Sequence, residues 1–315
     1  MPRPFPHTST RTARVDPRLL VVGAAALWGT TGTARALGPD DASPTAVGAV
    51  RLVLGALCLV ALARAGHLRS SNAATPCVSA RSRAGKPWRS HVSLALAALA
   101  MAAYQPLFFG GVARTGVAVG TVVGIGSSPV FAGVLGRVVR GERPGGRWLA
   151  ATALALAGTA LLVVTSRAGG DDADPVGIGL ALGAGLAYAI YVLASKLALD
   201  RGWGPDAATL VVFSIAGVLL VPVALAAGIG PLLTPGGVLM AAHLGVITVA
   251  LAYLLFGRGL TGVGVGAAGT LTLAEPATAA TLGVVVLGER PGATTAAGIG
   301  LIVAGLVALA ARRSV

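Results

Sequence analysis

Residues 127–145 read SSPVFAGVLGRVVRGERPG, and residues 274–292 read AEPATAATLGVVVLGERPG. Both stretches end on the same five residues, at 141–145 and 288–292. Each carries a second proline at one fixed distance upstream: Pro129 before Pro144, and Pro276 before Pro291. The resemblance runs further back, where FGGVARTGVAVG at 109–120 matches the pattern of FGRGLTGVGVG at 256–266. A pattern recurring across half a chain marks an internal repeat. The Gly and Pro of GERPG stop one helix and start the next, so each copy closes on a turn. Glu142 with Arg143, and Glu289 with Arg290, are expected to pair locally there in a structural role.

The text around those turns is apolar. Of 315 residues, 55% are hydrophobic and 11% charged, with a mean hydropathy of +0.82. A soluble domain carries about 25% charged residues, so an ordinary soluble enzyme is excluded. A helix that crosses a bilayer needs about 20 apolar residues. Ten such runs are present, near 19–37, 45–64, 92–111, 117–139, 148–165, 176–198, 207–228, 237–257, 263–287 and 293–311. They divide five and five. An odd number per copy puts the two GERPG turns on opposite faces and makes the halves antiparallel, the inverted-repeat plan of many secondary transporters. The expected fold is an all-α polytopic membrane protein of ten transmembrane helices arranged as two inverted five-helix repeats. Its parts are a disordered tail 1–18, a first repeat 19–165 containing a polar loop 66–91, an external linker 166–175, a second repeat 176–311 and a tail 312–315. The first tail does not lead into a secretory signal, because the apolar run after it is too long and no small-residue cleavage site precedes Arg35.

The formal net charge of +13 comes from 24 Lys and Arg. With the N terminus in the cytoplasm, 19 of them fall on cytoplasmic segments, four fall outside (Arg35, Arg114, Arg167, Arg290), and Arg51 lies within a span. That bias sets both termini in the cytoplasm of a multi-pass cell-membrane protein. It also removes nucleic acid as a partner, since no soluble domain presents the basic residues. Cys58 and Cys77 make neither a disulfide framework nor a metal site.

Glu275 is the sharpest candidate for chemistry. It stands about 12 residues, roughly 18 Å, into the ninth run, near the middle of a core about 30 Å thick. A carboxylate there faces a cavity or a partner, and Pro276 beside it removes a helical hydrogen bond. Binding of a cationic group, proton carriage, and a structural protonated acid are all open readings. Its counterpart in the first copy is Ser128. Arg51, roughly 9 Å deep in the second run, can hold a carboxylate as a bidentate pair or reach back to the interface. Trp28 and Tyr188 fall at corresponding depths in the first run of each half, and with aromatics at 4% of the chain this points to cavity walls. Tyr104, Gln105 and Tyr191 are further polar groups within spans, and Gln105–Pro106 is a second polar break. His243 lies nearer the outer surface, as a bonded interfacial residue. Gly264, Gly266 and Gly269 fit G-x-G-x-x-G, but without a strand–turn–helix setting they read as close helix packing. The pairs Gly120–Gly124, Gly179–Gly183 and Gly262–Gly266 read likewise. There is no P-loop, metal cluster or Ser/His/Asp grouping, and no cofactor is expected.

LWG at 27–29, VRLVLGAL at 50–57 and the proline-plus-GERP block closing each half resemble the drug/metabolite transporter superfamily, in its ten-helix EamA-type branch. The resemblance spans about 19–311 and places an arginine in the second helix, where Arg51 stands. It implies transport of a small metabolite, often an amino acid or related compound and often outward. The expected function is a secondary transporter working by alternating access, with substrate between the halves. The candidate substrate-binding residues are Glu275, Arg51, Trp28, Tyr188, Tyr104, Gln105 and Ser128, and Glu275 is the candidate for proton coupling. The expected partners are a small-molecule substrate and the lipid bilayer, with a homodimer left open. The alternative is a membrane-embedded enzyme acting on a lipid, using Glu275 and His243.

Overall fold

The computed structural model describes residues 15–68, 88–164, 174–288 and 292–310, all helix or short connections. Residues 1–14 of the expected first tail, the tail 312–315, most of loop 66–91, Cys77, most of the linker and Glu289–Pro291 of the second turn lie outside the described residues, and the helix begins at Pro17, within the expected tail. In chain order the helices are α1 (Pro17–Ala36), α2 (Pro44–Arg64), α3 (Trp88–Gly116), α4 (Val119–Arg140), α5 (Gly146–Val164), α6 (Pro175–Asp200), α7 (Pro205–Ala226), α8 (Pro235–Leu260), α9 and α10 (Ala293–Ala310). Helix α9 comes in two segments, Val265–Leu271 and Ala274–Val285. Six helices, α2, α3, α4, α6, α7 and α8, are long and apolar enough to cross a membrane by themselves. The other four complete the bundle by packing on these and on one another.

The starts of the helices follow one grammar. A residue able to cap stands before a proline at the first helical position, where the missing N–H is no loss. The side chains of Asp16, Ser43, Asp174 and Thr234 each accept from a backbone N–H of the first turn. Asp16–Pro17 and Asp174–Pro175 open the first helix of each half, a further sign of the repeat visible in the sequence. Several helices end on glycines in the left-handed region, including Gly141 after α4 (φ +67°) and Gly202 after α6 (φ +100°). Helices α3 and α4 follow each other almost without a break. A single non-helical residue, Gly116 (φ 78°, ψ 158°), turns the chain where a connecting segment of several residues is expected.

The packing obeys a two-fold exchange of the halves. Helix α1 packs on α8 and α9, while α6 packs on α3 and α4; α2 meets α7, α4 meets α9, and α5 meets α10. The α5–α10 crossing is reciprocal in detail. A Cβ on Gly158 would stand 2.6 Å from the Gly298 carbonyl oxygen, and one on Gly305 would stand 2.6 Å from the Ala151 carbonyl oxygen. The spacing from Gly158 to Gly305 and from Ala151 to Gly298 is also that of the two GERPG turns. Such mutual contacts are the signature of an isologous interface. The expected all-helical fold of inverted five-helix repeats is present.

Three details differ from the sequence reading. The irregularity in α9 falls at Thr272–Leu273, so Pro276 sits in the first turn of a new segment. The Thr272 carbonyl accepts from the Glu275 N–H at 3.0 Å, and Pro276 withdraws no established bond. Glu142 pairs with Arg140 at 3.0 Å rather than with Arg143, since the left-handed turn at Gly141 carries its carboxylate back along α4. Of the expected glycine packing pairs, Gly179 meets nothing within 4 Å, whereas Gly120 lies against Val112. Helix α8 adds a feature without a sequence signal, a π-helical stretch at Leu244–Leu251. Large apolar side chains such as Val138, Val218 and Leu239 are more than 70% exposed on the outside of the bundle, a surface suited to lipid rather than water.

Candidate functional site

Residues of α3, α4, α6 and α9 line a cavity of about 20 Å³: Tyr104, Gly124, Ile125, Ser128, Tyr188, Thr272 and Glu275. That is room for about one water molecule. Glu275 is placed there by the start of the second α9 segment. Ser128 stands at its repeat-equivalent position on α4. The Ser128 hydroxyl donates to the Ile125 carbonyl at 2.8 Å, and the Thr272 hydroxyl donates to that of Gly269 at 2.8 Å. Both hydroxyls are therefore satisfied within their own helices. Among the described residues the Glu275 carboxylate has neither a hydrogen bond nor an ion pair.

Polar groups with the opposite need gather around this acid. Arg51 on α2 donates from Nη2 to Gln105 Oε1 on α3 over 3.5 Å, a long contact. Gly48, one turn before Arg51, makes room for this, since a Cβ there would lie 3.0 Å from Gln105 Oε1. Arg51 Nε, Gln105 Nε2, Trp28 Nε1 and Tyr188 OH are buried without a hydrogen-bond partner among the described residues. A buried polar group left unmatched costs about 1–3 kcal/mol, and native proteins hold few of them. All four can donate, and Tyr188 shares the cavity lining with Glu275. The charges of Arg51 and Glu275 act on each other and on Tyr104.

Aromatic rings frame the group. Trp28 meets Tyr188 edge-on at 6.3 Å between ring centroids, Tyr188 lies 6.1 Å from Tyr104, and Tyr104 stacks on Phe108 at 5.6 Å. Tyr191 closes on Tyr188 at 5.9 Å. Of the sequence-predicted residues, Tyr104, Ser128, Tyr188 and Glu275 line the cavity, whereas Trp28, Arg51 and Gln105 do not; Trp28 packs edge-on against Tyr188, and Arg51 is bonded to Gln105. Reading the sequence alone misses Tyr253 and Phe256 on α8, at 4.7 and 5.5 Å from the Trp28 ring. Their signal was an i, i+3 aromatic pair in a chain poor in aromatics. His243 does not line the cavity; its Nε2 is hydrogen-bonded to the Thr30 hydroxyl at 2.9 Å.

Glycines set how closely the crossing helices approach. A Cβ on Gly29 of α1 would stand 2.8 Å from the carbonyl oxygen of Glu275 and 2.7 Å from Thr278 Cβ. On the other side, a Cβ on Gly185 of α6 would stand 2.7 Å from the Gly124 carbonyl oxygen. The first helix of each half therefore touches the fourth helix of the other half backbone to backbone at the level of the cavity.

Two inverted helical halves of this kind, together with the family match that follows, make the protein a polytopic membrane transporter of the drug/metabolite type. The EamA-like transporter family matches the chain twice, over residues 18–164 and 175–311, and the chain belongs to that family. The chain is 43% identical over 294 residues to an uncharacterized transporter, YwfM, of Bacillus subtilis (strain 168), covering 93% of each protein. A crystal structure 21% identical in sequence matches with a TM-score of 0.73, covering 93% of this chain and 96% of its own. At that identity it supports the fold alone.

Proposed function

We propose that the protein is a secondary transporter that exports a small zwitterionic metabolite, an amino acid or close relative, across the cell membrane by alternating access. Both termini lie in the cytoplasm. The observation that carries this reading is the carboxylate of Glu275 in the cavity lining without a bonded partner among the described residues, with the unmatched Tyr188 hydroxyl in the same lining and the charge of Arg51 acting on it. Arg51 and Gln105, both from the first half, take the substrate carboxylate. Glu275, from the second half, takes the ammonium group or a proton. The aromatic rings cover the remainder. A cavity of about 20 Å³ has room for about one water molecule, far less than an amino acid needs. Loading the site requires the halves to part, and the driving force is a gradient.

The test is flux into proteoliposomes of a labelled amino-acid panel without ATP, for the wild type and Glu275→Gln. The variant keeps shape and a polar amide, so expression and melting temperature should hold while flux falls at least tenfold. Retention of wild-type flux driven by a pH gradient would remove both charge recognition and proton carriage by Glu275. A lipid-modifying enzyme using Glu275 and His243 would instead form product without flux. The bond from His243 to Thr30, away from the cavity lining, does not favour it.

A further inference from the structure

The first GERPG turn reaches into the other half of the molecule. Glu142 Oε1 accepts from the Val265 N–H at 3.1 Å, and Oε2 accepts from the Gly266 N–H at 3.4 Å, both at the start of α9. The same carboxylate takes Arg140 Nε at 3.0 Å, and the guanidinium of Arg140 also pairs with Asp200 at the end of α6. The acid lies in a slot cut by two glycines. A Cβ on Gly136 would meet Glu142 Oε2 at 2.7 Å, and one on Gly264 would meet it at 3.1 Å. Glu142 and Arg140 of the first half thus fasten it to α9 and α6 of the second, and α9 carries Glu275.

We propose that Glu142 is a latch on the face of the membrane that carries residues 141–145, cytoplasmic by the charge bias. Its bonds to α9, braced by Arg140 and Asp200, hold α4 and α9 together on that face and must part before the cavity opens there. Glu142 is a positioning residue: it acts through α9 and touches no substrate. The inference rests on the alternating-access reading, but it is tested by accessibility rather than flux.

The full-length protein carries Cys58→Ser, Cys77→Ser and a reporter, Ser128→Cys, in the cavity lining. A small membrane-impermeant methanethiosulfonate is added to right-side-out and inverted vesicles. Glu142→Gln should raise reporter labelling from the face bearing the turn at least threefold, with labelling from the opposite face unchanged or lower. Asp200→Asn, which loosens Arg140 but leaves the acid on α9, should give a smaller shift in the same direction. A merely structural cap predicts a lower melting temperature with no bias between faces. Labelling that stays flat, or rises equally from both faces, overturns the latch. Should Glu142→Gln not fold, Arg140→Gln is read by the same criterion. One-sided labelling without flux of any panel compound would sink the transport reading and leave the latch standing. Flux with flat labelling would do the reverse.

Discussion

Adding one methyl group at Gly29 should disable the protein more than it unfolds it. An alanine Cβ there meets Thr278 Cβ at 2.7 Å and the Glu275 carbonyl oxygen at 2.8 Å. Carbon atoms pack best at about 3.5–4.0 Å, so the deficit is roughly 1 Å. Neither opposing atom can swing aside, since one is backbone and the other is the branch point of a threonine. The helices must separate. Overpacking of this kind costs about 1–3 kcal/mol, offset by about 0.5–1 kcal/mol because alanine is the better helix former. The net destabilisation is about 0–2.5 kcal/mol. The functional loss should be larger, because the displaced segment carries Trp28 on one side and Glu275 on the other; a fall in flux of tenfold or more is expected. Gly23 and Gly32 on the same helix have nothing within 4 Å and serve as controls. Alanine there should be neutral or slightly stabilising. Melting temperature in detergent and flux in proteoliposomes are measured for all three variants. A Gly29→Ala protein as stable and active as Gly32→Ala would refute the argument that α1 touches α9 through this glycine.

Other consequences can be checked separately. Cys77 should resist a membrane-impermeant maleimide in intact cells and react in inverted vesicles; labelling from outside would reverse the assigned topology. Arg258 grips Asp206 with two bonds of 2.8 Å, and the Asp206 side chain is only 4% exposed. Arg258→Gln takes that partner from a buried carboxylate and, with the arginine partly solvated, should cost about 1–3 kcal/mol. Adding Asp206→Asn should recover part of the loss, and a double variant no more stable than the single would contradict this. Asp174 is held below the usual carboxylate range by the hydrogen bond from Arg114, with help from the Val176 N–H. A lowered folded-state value stabilises fully above the unfolded value of about 3.9, and this contribution is lost as pH falls from there through the lower folded-state value. The melting temperatures of wild type and Arg114→Gln should therefore converge below about pH 4, and a constant gap across that range would be the contrary result.

The repeat, the inversion and the helix ends were legible because each rests on local text: a duplicated turn, an odd number of apolar runs, a capping residue before proline. Much of the cavity was legible for a different reason. Few polar groups stand inside apolar helices, and a bundle that buries them brings them together, so Glu275, Ser128, Tyr104 and Tyr188 met as expected. What escaped depends on contacts distant in sequence. Nothing near Glu142 announces that its partners are Val265 and Gly266. The π stretch of α8 lies where Gly245 presses on Leu54 and Gly55 of α2, and no residue type within 244–251 encodes it. The irregularity in α9 begins at Thr272, before the proline that draws the eye, because proline is well tolerated in the first turn of a helical segment.

Ser128 and Glu275 occupy matching positions in two copies of one unit. Were the copies identical, exchanging their roles would convert one open form into the other, and the two forms would be equal in free energy and equally populated. An acid in only one copy lifts that degeneracy. Each 1.4 kcal/mol of difference changes the ratio of the two forms tenfold. On the alternating-access proposal, duplication would supply two related states and the unpaired acid would make them unequal, so that the molecule would rest facing one side.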